Sequence, residues 1–165
     1  MPSIKTARLE MITLSADMME AILKGDRVLH EKGNSYYLAP EWPLEVYKQF
    51  FSYKIERFRK FPHENEWEGV IIDRKDHLIV GDMGFKGGPN EEGIIDLGYS
   101  IVPSYQGKGY ATEMGKAMVE WALTHSEVKK VVATCNPDND ASIRVLEKTG
   151  FKQTMQTEES IYWFY

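Results

Sequence analysis

The sequence has little of several features that define particular classes of protein. It contains one cysteine, Cys135, among 165 residues, so an intrachain disulfide is impossible. No stretch approaches the roughly 18 apolar residues that a membrane-spanning helix needs, and residues 1–8 lack the apolar segment of a secretory signal. Excess positive charge is also missing, because the formal net charge is −5, so a broad nucleic-acid interface is not expected. These absences predict a cytoplasmic protein that binds neither a membrane nor a nucleic acid.

The composition is that of an ordinary globular protein. Hydrophobic residues make up 42% and charged residues 27% of the chain, and the length predicts a single domain over residues 1–165. The four histidines are scattered along the chain, and no metal site is predicted. Mild acidity suits an amine-bearing or cationic partner. Both a monomer and a homodimer are compatible with the sequence.

The most informative stretch is residues 94–112. Apolar residues alternate over residues 94–102, which predicts a strand, and Pro103 ends it because proline cannot donate to a strand ladder. From Tyr110 to about residue 125 the apolar residues fall three and four apart, which predicts an amphipathic helix. Between the two lies Gln106-Gly107-Lys108-Gly109, a turn that leads directly into the helix N-terminus.

This turn has the chemistry of an anion site. The first N–H groups of a helix have no intrahelical partner, and the helix dipole favours negative charge beside them. Gly107 and Gly109 let a ligand approach the backbone closely, and Lys108 adds a cation, so the turn suits a phosphate or pyrophosphate. Equally, the glycines can serve only to make a β–α connection. A dinucleotide fingerprint is absent, because Thr112 replaces its third glycine, and a P-loop is absent, because Tyr110 follows Gly109.

The remaining segments predict the rest of the fold. Upstream, strands are predicted at 9–14, 66–73 and 77–85 and helices at 15–25 and 43–62, while residues 26–43 are predicted to be irregular, with aromatics that cap the core edge or line a substrate groove. Downstream, a strand at 131–135, a helix at 139–150 and a hairpin of 151–155 with 161–165 are predicted. The order βααβββαβαββ with short upstream connections predicts an α/β fold: a mixed, mostly antiparallel sheet with helices on both faces. Strands 94–102 and 131–135 are expected to pair in parallel or to splay apart.

Two motifs carry a family resemblance. Gln106-x-x-Gly109-x-Ala111 after a strand, and Asn139-x-x-Ser142 followed by Glu-Lys-Thr-Gly-Phe at 147–151, resemble the GNAT superfamily of acetyl-CoA-dependent N-acetyltransferases. Thr-Ala-Arg-Leu at 6–9 and Asp-Leu-Gly-Tyr at 96–99 are similar to the branch that contains the ribosomal-protein N-terminal acetyltransferases. The resemblance covers nearly the whole chain and is most specific over residues 94–151. It implies a GNAT-like fold in which two central strands part into a V that holds the pantetheine arm.

The resemblance also implies acetyl-CoA as co-substrate and names the residues that would hold it. Backbone amides of the glycine turn would bind the pyrophosphate: Gln106, Gly107, Lys108, Gly109, Tyr110 and Ala111. The pantetheine arm would pair with the central strand near Ile101 and Val102 and would contact the Asn139 side chain. Asn139 is equally placed to cap the following helix.

Acetyl transfer to an amine requires a neutral amine, a donor for the developing oxyanion, and a proton or hydrogen bond for the leaving thiolate. The resemblance puts the base at Asp96, with Glu113 as a second choice; alternatively Asp96 is a charge at the strand edge. Many relatives donate to the thiolate from a tyrosine, but that position is Leu146 here. Ser142 is therefore predicted to contact the sulfur by a hydrogen bond or through a relayed water; alternatively it is only a serine of the first helical turn. Tyr99 either lines the cleft or belongs to the core.

Three functions follow from this interpretation. The first is an N-acetyltransferase acting on a primary amine, either a small molecule or a protein N-terminal α-amine, by direct attack in a ternary complex. The second is a sensor that binds acetyl-CoA without turnover, since the usual tyrosine is missing. The third is a different nucleotide-binding α/β protein. Cys135 has no histidine near it in sequence, so it is predicted to be a buried structural thiol rather than a nucleophile.

Overall fold

The computed structural model describes residues 4–165. Ten strands and five α-helices run through this part of the chain: β1 (Ile4–Lys5), β2 (Leu9–Ile12), α1 (Ala16–Leu23), β3 (Val28–Glu31), β4 (Asn34–Leu38), α2 (Glu45–Lys48), α3 (Phe51–Lys60), β5 (Glu68–Asp73), β6 (Leu78–Phe85), β7 (Ile94–Ile101), α4 (Tyr110–Leu123), β8 (Lys130–Cys135), α5 (Asp140–Thr149), β9 (Lys152–Gln156) and β10 (Ile161–Phe164). Short 3₁₀ helices follow α3 at Pro62–Trp67 and β7 at Pro103–Tyr105. No helix within residues 4–165 has the length and apolar character needed to cross a membrane.

All the strands form one sheet, in the order β1-β2-β5-β6-β7-β8-β10-β9, with β4 also pairing with β6 and with β3. Only the β7–β8 and β4–β6 pairs among these strands are parallel. The sheet is therefore mixed and mostly antiparallel, which confirms the predicted fold class.

The two central strands part partway along their length. β7 and β8 pair in parallel from Ile94 opposite Lys130 to Leu97 opposite Ala133. Beyond that point β7 continues to Ile101 and β8 to Cys135 without pairing to each other, while the other edge of β8 stays paired with β10. Parallel pairing and splaying, predicted as alternatives, therefore both occur, one after the other along the same pair of strands.

Helices cover both faces of the sheet. On β6, Phe85 stacks on Trp121 of α4, with ring centroids 6.5 Å apart. The Asp82 side chain points to the other face of the sheet from Phe85, because side chains alternate along a strand. On that face Asp82 accepts a hydrogen bond from the Trp42 indole, and Trp42 packs on Phe51 of α3. One face of the sheet thus carries α4, and the other carries α2 and α3.

The prediction that residues 26–43 are irregular is wrong. They contain the β3–β4 hairpin, whose two-residue turn places Lys32 and Gly33 at φ of +49° and +80°. Two successive positive φ values are the geometry of a tight hairpin turn, but lysine is not one of the residues that usually reveal such a turn in a sequence. Tyr36 and Trp42 in this segment are almost fully buried, which confirms that they cap the core edge.

The second predicted helix is divided into α2 and α3 at Gln49 and Phe50. Both residues keep right-handed helical angles, so side chains still recur on one face across the junction. The helix begins at Glu45, two residues after Pro43, and the 3₁₀ helix at Pro62–Trp67 follows it. The start of α1 agrees with its predicted capping residue, because the Ser15 side chain accepts a hydrogen bond from the Met18 amide, as an N-cap does.

Candidate active site

A cleft of about 660 Å³ opens where β7 and β8 part, and we call it the V cleft. Its walls include Tyr99 and Ser142 near α5, and Asp82 and Ser100 on the face that carries α2 and α3. Tyr99 and Ser100 are successive residues of β7 and therefore point to opposite faces of the sheet. The cleft can thus be approached from both faces.

The free edge of β7 presents backbone groups to the V cleft. Asp82 lies opposite Ser100 and Val80 binds the Val102 amide at 2.9 Å, so alternate residues of β7 direct their N–H and C=O groups towards β6. The intervening residues Tyr99 and Ile101 consequently direct theirs away from β6, to the side where β8 parts from β7, and Tyr99 lines the cleft there. A linear ligand with amide groups could pair here as an added strand does.

Ile101 and Val102, the predicted pantetheine contacts, differ in the backbone groups that they leave unpaired. The Ile101 carbonyl accepts a hydrogen bond from the Gln106 side chain at 2.9 Å, which leaves its amide for a ligand. Val102 is fully buried, its amide donates to Val80, and its carbonyl accepts from Tyr105. Val102 therefore offers no backbone group to a ligand, because pairing with β6 engages its amide and the following 3₁₀ turn engages its carbonyl.

The turn at residues 106–109 has the geometry that its glycines suggest. Gly107 and Gly109 have φ of +76° and +78°, values that favour glycine, and Gly109 is the N-cap of α4. Within residues 4–165, the amides of Gly107, Lys108 and Gly109 donate to no acceptor. A Cβ added at Gly107 would meet no atom within 4 Å, so the backbone is open to a ligand. These features fit a pyrophosphate.

Contacts from the N-terminal segment hold this turn in place. The Arg8 guanidinium donates to the Lys108 carbonyl at 2.8 Å and to Glu113 at 2.6 Å, and it lies 4.7 Å above the Tyr110 ring. The Tyr110 hydroxyl donates to Asp73 at 2.5 Å, so its buried side chain anchors the start of α4. Only the backbone of Tyr110, and likewise that of buried Ala111, remains for a phosphate. Sequence reasoning gave Arg8 no role beyond its place in the family resemblance.

Tyr99 and Ser142 form a hydroxyl pair inside the V cleft. Their oxygens are 2.6 Å apart, and the Tyr99 hydroxyl also lies 3.4 Å from the Ser142 carbonyl. Asn139 accepts from the Ser142 amide at 3.1 Å and also lines the cleft, so both roles considered for it are compatible with the structure. Burial raises the pKa of Tyr99 to about 12, although the hydrogen bond with Ser142 acts to lower it. Leu146 is buried in the core and offers no hydroxyl group to the cleft.

Asp82 is the functional candidate that sequence reasoning missed. It lines the V cleft, is only 6% exposed, and its Oδ2 accepts from Ser100 Oγ at 2.7 Å and from Trp42 Nε1 at 3.0 Å. Burial raises the pKa of Asp82 to about 7, although these two hydrogen bonds act to lower it. A carboxyl that titrates near neutral pH in a cleft is a typical acid–base candidate. Its sequence context, Val-Gly-Asp-Met-Gly, contained no motif that marks it.

The two acids that the sequence put forward lie elsewhere. Asp96 is ion-paired with Lys86 at 2.7 Å, on the part of β7 still paired to β8, and it is not part of the cleft wall. Its Oδ1 is buried and accepts no hydrogen bond within the described residues. Glu113 accepts hydrogen bonds from Thr6 and from Arg8. Partial burial acts to raise the pKa of Glu113, but these hydrogen bonds outweigh the burial, so the pKa is lowered. Neither acid shares the cleft with the Tyr99–Ser142 pair.

Cys135 is placed differently from the prediction. It is half-buried and lines the V cleft, and the Trp163 indole donates to its sulfur at 3.3 Å. The expectation of a buried thiol is therefore wrong, because β8 has no partner on the side where it parts from β7.

Comparisons with known proteins identify the family of this chain. The family described as "Acetyltransferase (GNAT) domain" matches residues 8–152. The uncharacterized N-acetyltransferase YjdG of Bacillus subtilis is 32% identical over 164 residues, covering 98% of this chain and 96% of that protein. The spermidine N(1)-acetyltransferase of Vibrio cholerae is 21% identical over 154 residues, covering 87% and 83% of the two chains. A ribosomal L7/L12 α-N-protein acetyltransferase, solved with coenzyme A, superposes with a TM-score of 0.68 at 16% identity and covers 99% and 97%.

The family match spans most of the chain, and the B. subtilis relative is similar along nearly its whole length. The likeness to the coenzyme A complex extends this agreement to the fold. The protein therefore belongs to the GNAT family of N-acetyltransferases, which use acetyl-CoA as co-substrate.

Proposed function

We propose that the protein transfers the acetyl group of acetyl-CoA to a primary amine by direct attack in a ternary complex. The observation that carries this proposal is the V cleft, which passes between the faces of the sheet. The Tyr99–Ser142 pair lies towards α5, and Asp82 lies on the face of α2 and α3. A thioester held from one face can then meet an amine that enters from the other.

The chain offers a continuous set of groups for the coenzyme. The unpaired amides of Gly107, Lys108 and Gly109 suit the pyrophosphate, and the free edge of β7 at Tyr99 and the Ile101 amide suits the pantetheine amides. Bound acetyl-CoA supplies the activated acetyl thioester. A role for Asn139 beside the pantetheine remains part of the proposal, with the helix cap keeping its side chain fixed.

Asp82 is our preferred base for the acceptor amine. An ammonium has no lone pair, so the amine must lose a proton before it attacks. A carboxyl with a pKa of about 7 is a better proton acceptor at neutral pH than an ordinary aspartate. Its Oδ1 accepts no hydrogen bond from residues 4–165 and is available to the amine or to a water. Asp96 remains the alternative that the family resemblance suggested, but its ion pair with Lys86 and its absence from the cleft wall argue against it.

The Tyr99–Ser142 pair suits the leaving thiolate. With its pKa near 12, Tyr99 keeps its proton at neutral pH and acts as a hydrogen-bond donor. Full proton transfer to a thiolate, whose conjugate thiol has a pKa near ~8.5, would be uphill. We therefore infer that Tyr99 orients Ser142, or Ser142 orients Tyr99, so that one hydroxyl donates to the sulfur.

Release of free thiol from acetyl-CoA tests this function. Purified protein is incubated with acetyl-CoA and a panel of primary amines, and the acetylated product is identified by mass. Amine-dependent thiol release with a matching acetamide product is expected. Coenzyme binding by calorimetry without amine-dependent turnover would instead favour the acetyl-CoA sensor, for which the buried Leu146 at the usual tyrosine position is the supporting observation.

A further inference from the structure

We propose that the acceptor is a small primary monoamine that carries an aromatic or large aliphatic group. This inference rests on the proposed function and concerns the half of the V cleft formed by α2 and α3. Two features of that half lead to it: an exposed apolar stripe and a set of charges that are already paired.

The apolar stripe consists of Val46, Phe50 and Tyr53. All three line the V cleft, yet they are 61%, 49% and 64% exposed. Their spacing of four and three residues puts them on one helical face, since the backbone stays helical through the α2–α3 junction. The core is filled by a different stripe that includes buried Phe51 and Phe58. Val46, Phe50 and Tyr53 are therefore left to cover an apolar ligand.

The charged groups of this half are engaged with one another. Arg57 makes two hydrogen bonds to Glu64, at 2.5 and 2.7 Å. Lys54 pairs with Glu68, which also accepts from the Tyr47 hydroxyl at 3.0 Å. Burial and the neighbouring Glu68 raise the pKa of Tyr47 well above its ordinary value, so it stays a neutral donor.

These pairs leave one carboxyl, Asp82, for an incoming amine. The cleft wall holds three acids, Glu64, Glu68 and Asp82, and three cations, Lys54, Arg57 and Lys86. A second ammonium on the acceptor would have to displace Lys54 or Arg57 from its carboxylate, or lie near those cations unpaired, and both cost free energy. A monoamine needs only one carboxyl, so a polyamine is the poorer fit.

The same wall disfavours a peptide. Each residue of an extended peptide brings one N–H and one C=O that need partners when water is excluded. The stripe lies on α2 and α3, whose backbone groups are used within the helices. A small arylalkylamine brings an apolar face and one amine, and these are what the wall accommodates.

Acetylation rates for matched amines test this assignment. 2-Phenylethylamine is compared with ethylamine, 1,4-diaminobutane, spermidine and a phenylalanine-starting tripeptide, all in the thiol-release assay. Burying the phenyl ring on the stripe should raise kcat/KM roughly ten- to a hundredfold over ethylamine. The diamine, the polyamine and the tripeptide should all be poorer than 2-phenylethylamine.

Variants then locate the preference. Phe50→Ser and Tyr53→Ser should each lower kcat/KM for 2-phenylethylamine by roughly three- to tenfold, with a smaller loss for ethylamine and with acetyl-CoA affinity unchanged. Tyr37→Ser is the matched control, because Tyr37 is 53% exposed on β4 and does not line the cleft. It should leave every rate as in the parent.

The outcomes separate this inference from the proposed function. A preference for spermidine, diaminobutane or the tripeptide, or an aromatic preference that survives both serine variants, would overturn the inference while leaving acetyl transfer intact. Failure to acetylate any of these amines, with acetyl-CoA still bound, would overturn both.

Discussion

Asp82→Asn should separate catalysis from stability in this protein. Asparagine keeps the shape of the side chain, and its carbonyl can still accept from Trp42 Nε1 and Ser100 Oγ, which now bind Asp82 Oδ2. The substitution removes the carboxyl group that gains and loses a proton. The variant should therefore fold, lose its base, and become more stable than the parent at high pH.

The stability change follows from the pKa. The native state holds the Asp82 proton up to about pH 7, whereas the ordinary value is 3.8. The native state thus binds more protons than the unfolded state between about pH 4 and 7, so this group makes stability fall as pH rises through that window. The gap corresponds to about 4 kcal/mol at ~1.36 kcal/mol per pKa unit. Asp82→Asn should be more stable than the parent by about 2–4 kcal/mol at pH 8 and nearly equal to it at pH 4.

The Asp82→Asn variant should lose activity even though it gains stability. Loss of a general base should reduce kcat by about 10²-fold. In the parent, kcat at saturating substrates should rise as pH increases through about 7, where Asp82 loses its proton. The variant should lack that rise. Chemical denaturation at pH 4 and pH 8 gives the stability, and the thiol-release assay gives the pH profile.

Asp96→Asn is the matched comparison, because it makes the same chemical change at the competing site. It should keep the rise near pH 7 and most of the parent rate. If Asp96→Asn loses the rise and Asp82→Asn keeps it, the base is Asp96 and our reasoning from burial is wrong. An Asp82→Asn variant with parental stability at pH 8 would refute the raised pKa itself.

Three further predictions concern the coenzyme. Gly109→Glu should abolish acetyl-CoA binding in calorimetry, whereas Gly25→Glu, also at positive φ but with no atom near its Cβ, should bind normally; equal binding by both would remove the turn from the site. Ser142→Ala should slow turnover by roughly ten- to a hundredfold at unchanged coenzyme affinity, as loss of a hydrogen bond to a charged group implies; a parental single-turnover rate would make the serine a helix residue only. Arg8→Ala frees the Lys108 carbonyl and should weaken acetyl-CoA binding by about tenfold with kcat unchanged; an unaltered dissociation constant would contradict this.

Local sequence patterns were sufficient wherever the structure depends on neighbouring residues. Alternation over 94–101, the stripe that starts at Tyr110, and the caps at Ser15 and Asn139 all predicted their elements, and the GNAT resemblance predicted the fold. The β3–β4 hairpin was missed because its turn, Lys32-Gly33, has lysine where asparagine, aspartate or glycine usually precedes the glycine, and because Tyr36 and Trp42 looked like loop aromatics.

The candidate base shows what a sequence alone does not determine. Alternation could place Asp82 on a strand, but its burial depends on Trp42, 40 residues earlier, and on Ser100, 18 residues later. Likewise, the same composition could leave Glu64 and Glu68 free, and only the folded chain brings Arg57 and Lys54 to them. Outside the β3–β4 hairpin, the sequence by itself thus determined most of the elements, their order and the glycine turn, because periodicity, caps and turn angles act over a few residues. The tertiary structure alone decided which carboxyl is desolvated and which charges are already paired, because desolvation and ion pairing depend on residues far apart in the chain.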